Sequence, residues 1–142
     1  MSPQDRAALT AQLIDHEGLR LTAYLDTVGK ITVGVGRNLS DRPITRELAL
    51  TWLDEDIDLS TRELTEAFGW FAGLDVVRQR VLIDMHVNLG LGRLRGFRKM
   101  LAAIGQRNYP AAAQEMRHSK WANQTGRRAV RLAAMMETGE DA

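Results

Sequence analysis

Residues Glu17–Gly36, EGLRLTAYLDTVGKITVGVG, contain two short segments in which apolar and polar side chains alternate. This two-residue period is typical of strands, and it predicts one strand over 19–26 and a second over 30–35. The residues between them, Thr27–Gly29, end in glycine, which a three-residue hairpin loop prefers at its left-handed last position. The stretch therefore predicts a β-hairpin.

The predicted hairpin brings Asp26 and Thr32 onto one face. If Asp26 pairs with Lys30 across the loop, Tyr24 faces Thr32, and the Cα atoms of Asp26 and Thr32 lie about 7–8 Å apart. A water molecule fits between a carboxylate and a hydroxyl at that spacing, and Glu17 can place a second carboxyl group across the gap. Two such carboxyl groups suit glycoside hydrolysis. The competing interpretation is that both acids are solvated surface residues.

Helical signals flank the hairpin on both sides. Ser2 and Pro3 can start a helix that ends before Gly18. Residues 37–43 are polar and turn-like, and Thr45 can cap a long helix over about 46–67. The rest of the sequence predicts helices over about 75–89, 97–104, 108–116 and 125–136, the last capped by Thr125. The predicted fold class is α+β: mostly helical, with a small β-hairpin lobe and a larger helical lobe joined by a long helix.

The 142 residues are enough for one domain with its own core. We expect a first lobe over about 12–45, a connecting helix over about 46–67, and a second lobe over about 68–142 that packs with the N-terminal helix. The absence of cysteine excludes disulfides, thiolate zinc sites and cysteine nucleophiles. No apolar run approaches the roughly 20 residues of a membrane span, and the N-terminus has no signal-peptide core, so we expect no classical export.

The net charge of +1 conceals an uneven distribution. Residues 1–77 contain 7 basic and 13 acidic residues, residues 78–131 contain 12 basic and 2 acidic residues, and residues 132–142 contain three acids and no base. The basic segment favours a polyanionic partner such as nucleic acid, an anionic membrane or bacterial cell wall. A solvated surface without a partner explains the charge equally well.

Other potentially reactive residues do not form a recognisable site. The three histidines, at positions 16, 86 and 118, are too far apart in sequence for a metal-ligand motif. Gly34 and Gly36 lack the third glycine of a dinucleotide-binding turn. The methionines at 85, 100, 116, 135 and 136 and Trp121 occupy helical core positions. We therefore expect no metal and no cofactor.

The quoted stretch closely resembles the phage-type lysozyme (endolysin) family. The matching features are Glu17-Gly18-Leu19-Arg20, the eight residues between Glu17 and Asp26, and the strand Thr32-Val33-Gly34-Val35-Gly36. Residues 78–90 resemble the family's buried central helix, and residues 119–129, with Ser119, Lys120, Trp121, Gln124 and Arg128, resemble its C-terminal segment. The resemblance covers nearly the whole chain. A departure is Arg37, which stands where the family has histidine.

The resemblance implies roles for individual residues. Glu17 would be the general acid, Asp26 would stabilise positive charge on the sugar and help position water, and Thr32 would hold that water, which implies inversion. Arg128 matches the arginine that pairs with the catalytic glutamate in the family. Tyr24, Asn38, Asn88 and Arg128 are the candidate substrate-binding residues.

The resemblance also implies a function, namely a peptidoglycan hydrolase (muramidase) that cleaves between N-acetylmuramic acid and N-acetylglucosamine during phage-mediated host lysis. A virion-associated or prophage lysozyme has the same chemistry. We expect a monomer that stays in the host cytoplasm until a holin lets it reach the wall. Contact with the membrane through the C-terminal basic helix is possible on this interpretation, and no nucleic-acid partner is expected. From charge alone, a nucleic-acid- or membrane-binding helical protein remains the alternative of another class.

Overall fold

The N-terminal helix α1 (Pro3–Glu17) begins and ends where the sequence predicts in the computed structural model, which describes residues 1–142. Ser2 Oγ accepts a hydrogen bond from the Asp5 backbone N–H at 3.1 Å, and the Asp5 carboxylate accepts one from the Ser2 N–H at 3.3 Å. This reciprocal capping box satisfies two N–H groups that a helix start would leave unpaired. Gly18, with φ of +77°, ends the helix.

Three short antiparallel strands follow in the order β1 (Arg20–Leu25), β2 (Ile31–Gly34) and β3 (Arg37–Asn38). The predicted pairing of Tyr24 with Thr32 is confirmed. The register then shifts, because Arg20 faces Gly34 rather than Gly36, so β1 contains a bulge between Arg20 and Tyr24. Sequence analysis missed β3, since two residues are too few to show a periodic pattern.

Helix α2 (Arg46–Ala67) also has its predicted bounds. Thr45 Oγ1 accepts a hydrogen bond from the Leu48 N–H at 3.1 Å, as an N-cap does. The elements that follow are a 3-10 turn (Phe71–Gly73), α3 (Val76–Arg95), α4 (Arg98–Gly105), α5 (Tyr109–Arg117), α6 (Lys120–Thr125) and α7 (Arg127–Thr138). None of these helices combines the length and the hydropathy that a membrane span requires.

Two predicted helix boundaries differ from the structure. Gly90, expected to end a helix, is a non-helical break with φ of +76° inside α3, which then continues to Arg95. The prediction that Thr125 caps the last helix is wrong, because Thr125 is the final residue of α6 and its hydroxyl donates to the Trp121 carbonyl at 2.9 Å. A threonine hydroxyl bonds the carbonyl four residues earlier as readily as it caps a helix, so sequence alone does not separate the two.

The chain folds into two compact units, Met1–Thr51 and Trp52–Ala142. The first unit holds α1, the sheet and the start of α2, and its one buried side chain is that of Thr32. The hydrophobic core lies in the second unit and includes Trp121, as predicted, and methionines 85, 100, 116, 135 and 136. The predicted packing of α1 with the second lobe stays a prediction.

Candidate active site

The hairpin loop holds the Asp26 carboxylate in one orientation. Asp26 Oδ1 accepts hydrogen bonds from the backbone N–H groups of Val28 and Lys30, each at 2.9 Å, while Oδ2 has no partner. The Asp26 N–H donates to the Lys30 carbonyl at 2.9 Å and closes the loop, in which Gly29 has φ of +81°. Because the backbone occupies Oδ1, the carboxylate presents its second oxygen for chemistry.

Thr32 lies on β2 opposite Tyr24 and is only 3% exposed. Its hydroxyl donates to the Lys30 carbonyl at 3.1 Å. The only hydroxyl proton is therefore engaged, and the oxygen is left as an acceptor. Thr32 can thus accept a hydrogen bond from a water molecule but has no proton to donate to it.

Glu17 is the last residue of α1, and its carboxyl group lies against Gly36. A Cβ atom on Gly36 would lie 2.6 Å from Glu17 Oε2 and 3.0 Å from Cδ, so glycine is the residue that leaves room for this carboxyl group. Gly36 also has φ of +63°, a conformation that glycine adopts without strain. The second glycine of the Gly34–Gly36 motif therefore shapes the position of Glu17.

Glu17, Asp26 and Thr32 all belong to the first unit, on α1, the hairpin loop and β2. One group can carry a transferable proton, one is a carboxylate with a free oxygen, and one is a hydroxyl that accepts hydrogen bonds. These are the components that acid-assisted hydrolysis of a glycoside needs. The structure forms no cluster of three or more His, Asp or Glu side chains suited to a metal ion.

Of the candidate substrate-binding residues in this unit, Tyr24 is half-buried, and the Arg20 guanidinium lies 4.3 Å from its ring centroid. Asn38 is engaged internally, because its Nδ2 donates to the Asp41 carboxylate at 2.9 Å and its Oδ1 accepts from the Asp41 N–H at 3.1 Å. Arg37 donates from Nη2 to the Pro43 carbonyl at 2.8 Å. This hydrogen bond links the two ends of the segment 37–43.

The other two candidates belong to the second unit. Asn88 Oδ1 accepts a hydrogen bond from the Trp121 indole N–H at 2.9 Å, which leaves the Asn88 amide nitrogen without a partner. Arg128 donates from Nε to the Asp84 carboxylate at 2.7 Å and from Nη2 to the Asp84 carbonyl at 3.3 Å. The roles of these residues towards substrate stay predictions.

Sequence analysis missed a polar trio in the second unit. His86 is 6% exposed; its Nδ1 lies 2.8 Å from Ser60 Oγ and its Nε2 lies 2.7 Å from Glu63 Oε2. Ser60 and Glu63 are three residues apart on α2 and so share one helix face. The sequence shows that Ser60 and Glu63 share a helix face, but nothing in it places His86 opposite them. Ser60 is buried, at 2% exposure, so the trio links α2 to α3 and offers no accessible nucleophile.

Comparison with known proteins places the chain in a family. The phage lysozyme family model matches residues 14–136. The chain is 26% identical to probable T4-type lysozyme 1 of Dictyostelium discoideum over 87% of this chain and 89% of that protein. It is 27% identical to the pre-baseplate central spike protein Gp5 of Enterobacteria phage T4 over 93% of this chain and 28% of that protein.

A third relative is the peptidoglycan hydrolase gp36 of Pseudomonas phage phiKMV, which is 33% identical over 91% of this chain and 15% of that protein. The family match spans most of the chain and includes all three residues of the candidate site. The fold is the predicted α+β arrangement, with seven α-helices and one small antiparallel sheet. The chain therefore belongs to the phage lysozyme family and is a glycoside hydrolase with a peptidoglycan-lytic function.

Proposed function

We propose that the chain is a muramidase that hydrolyses the β-1,4 bond between N-acetylmuramic acid and N-acetylglucosamine with inversion at the anomeric carbon. The observation that carries this proposal is the hydrogen bonding of the Asp26 carboxylate. Its Oδ1 accepts from two backbone N–H groups, whereas Oδ2 has no partner. Thr32 supports it, because its hydroxyl oxygen is left as an acceptor. Together they can orient one water molecule by accepting both of its protons.

In the proposed reaction, the protonated Glu17 carboxyl group donates its proton to the glycosidic oxygen as the bond to the anomeric carbon breaks. The water between Asp26 and Thr32 attacks that carbon from the opposite face and releases a proton to the Asp26 carboxylate. Asp26 also stabilises the positive charge that develops on the sugar. Inversion requires the two carboxyl groups to be roughly 6.5–9.5 Å apart, with room for water between them.

Product analysis tests the bond and the stereochemistry. Mass spectrometry of digested, purified peptidoglycan should find muramic acid at the new reducing ends, and NMR of the first product should find the α-anomer. Reducing-end N-acetylglucosamine would contradict the proposed bond, and anhydro-muramic acid would indicate a lytic transglycosylase. A β-anomer, or a trapped glycosyl-enzyme, would contradict inversion.

We also propose that the enzyme acts as a monomer in phage-mediated host lysis, waiting in the host cytoplasm for a holin. Expression alone should then leave bacteria intact, and coexpression with a holin should lyse them. Light scattering tests the oligomeric state and should give the mass of one chain. Leakage of dye from anionic vesicles tests for membrane contact. A virion-associated role is the second candidate, because one relative is named as a spike protein. Finding the chain in purified phage particles would favour that role.

A further inference from the structure

The peptide group that joins Lys30 to Ile31 links the hydrogen bonds of three side chains. Its carbonyl oxygen accepts from the Asp26 N–H at 2.9 Å and from the Thr32 hydroxyl at 3.1 Å. Its N–H donates to Ser40 Oγ at 3.0 Å. A trans peptide group is planar, so its N–H and its carbonyl point in opposite directions and turn together. The Ser40 hydroxyl therefore holds the plane whose oxygen takes the Thr32 proton.

Ser40 is exposed, but the residues on either side of it are tied to the same peptide group. On one side, the Leu39 N–H donates to the Ile31 carbonyl at 2.7 Å. On the other side, the Asp41 carboxylate accepts a hydrogen bond from Lys30 Nζ at 3.2 Å. Because both neighbours are attached, the serine keeps its place beside the Ile31 N–H.

The orientation of this peptide group decides how the Thr32 hydroxyl meets water. While the Lys30 carbonyl accepts the hydroxyl proton, the Thr32 oxygen is left as an acceptor. If the plane tilts, the carbonyl moves away and the hydroxyl can turn its own proton towards the water. A hydroxyl that donates to the water no longer accepts from it in the same geometry. The water then loses one of the two hydrogen bonds that orient it for attack.

We propose that Ser40 is a positioning residue for the hydrolysis, acting on the attacking water through Thr32 and the peptide group beside it. This role rests on the proposed mechanism, in which Thr32 and Asp26 hold that water. It requires a small side chain with an acceptor oxygen 3.0 Å from the Ile31 nitrogen, and serine supplies one where alanine does not. Ser40 thus extends the site to the turn that follows β3.

The kinetics of Ser40→Ala on soluble, purified peptidoglycan fragments test the role. We expect kcat to fall about tenfold, because a displacement near 1 Å costs about 10²-fold and a tilted plane moves the hydroxyl by less. KM should stay within about twofold, since the change disturbs the attacking water and not the binding of the sugar. Ser40→Thr keeps a hydroxyl and should restore kcat to within about threefold of wild type.

The matched control is Thr10→Ala, which removes another exposed hydroxyl of the first unit. Thr10 Oγ1 donates to the Arg6 carbonyl at 2.8 Å on α1, so this variant also loses one hydrogen bond between a side chain and the backbone. We expect no change in kcat. NMR of the free enzymes gives a readout that is independent of the reaction. The Ile31 amide proton should move upfield and exchange faster in Ser40→Ala, and should be unchanged in Thr10→Ala.

Several outcomes would overturn the role of Ser40. Wild-type kcat in Ser40→Ala would mean that water replaces the hydroxyl as acceptor. Equal losses in Ser40→Ala and Ser40→Thr, or a loss confined to KM, would assign the effect to the shape of the turn or to substrate binding. Circular dichroism checks folding, and Ser40→Cys, whose sulfur is a weak acceptor, repeats the test if Ser40→Ala does not fold.

The product of the wild-type enzyme separates this role from the proposed function. If wild type releases the α-anomer and Ser40→Ala is fully active, the role of Ser40 is refuted and the inverting mechanism stands. If wild type releases the β-anomer, the mechanism that places water at Thr32 is refuted, whatever the activity of the Ser40 variants.

Discussion

Gly36→Ala should slow the enzyme by displacing a neighbouring carboxyl group. The new Cβ would lie 2.6 Å from Glu17 Oε2, so the oxygen must move about 0.8 Å to reach an ordinary contact of 3.4 Å. A displacement near 1 Å of a catalytic group costs about 10²-fold in rate. The positive φ adds about 1–2 kcal/mol of backbone strain. We expect lysis of purified peptidoglycan to fall about 10²-fold, with Tm lowered by a few degrees.

Gly34→Ala is the matched control, because it separates strain from displacement. Gly34 has φ of +70°, close to that of Gly36, but a Cβ atom there meets nothing within 4 Å. The two variants should lose similar stability in denaturant titrations, while turbidity assays should find lysis much lower only for Gly36→Ala. Equal activity in the two folded variants would refute the reasoning that Gly36 sets the position of Glu17.

Three other changes test separate parts of the structure. Glu17→Gln keeps the side-chain shape but removes the transferable proton, so peptidoglycan lysis should fall at least about 10³-fold with circular dichroism unchanged; near-wild-type lysis would exclude Glu17 as the acid. Burial of Asp75 opposes its ionisation, but hydrogen bonds from the Arg78 N–H and guanidinium outweigh burial and hold the pKa of Asp75 below its ordinary value. The stabilisation is therefore present at neutral pH and is lost as pH falls below about 4. In Asp75→Asn the free energy of unfolding should fall less steeply with decreasing pH in this acidic range, and an unchanged slope would contradict this. Arg78→Met removes hydrogen bonds of 2.7 and 3.0 Å to two carbonyls at the end of α7 and should cost about 2–3 kcal/mol in urea unfolding, whereas Arg62→Met, which has no side-chain partner, should cost less than about 0.5 kcal/mol.

The parts of the fold that were predictable from sequence are those with local causes. The capping box at Ser2, the loop glycine at position 29 and the Thr45 cap each act within a few residues, and the corresponding boundaries are confirmed. The bulge between Arg20 and Tyr24 is a shift in the pairing of β1 with β2. The alternating pattern within each strand does not show such a shift, so the prediction assumed continuous pairing. Local pattern does not encode a register shift.

The candidate site divides in the same way. The residue types at 17, 26 and 32 were recognisable from the family motif, and the facing of Tyr24 and Thr32 followed from loop length. The contact between Gly36 and Glu17 depends on how α1 meets the sheet, which no spacing reveals. The link from His86 to Ser60 and Glu63 joins residues 23 and 26 positions apart on two helices, so it too required the structure.

The confinement of the hydrophobic core to the second unit has a consequence for backbone amide exchange. The first unit buries one side chain, that of Thr32, and no large apolar group, so its local opening should be less costly than opening of the second unit. Deuterium should therefore enter the hairpin amides before those of α3 and α5. A glycan bound at Glu17 and Asp26 should slow that exchange, because ligand binding lowers the population of the open form. In this enzyme, bound substrate would then stabilise the closed form of the hairpin that holds the groups needed for its cleavage.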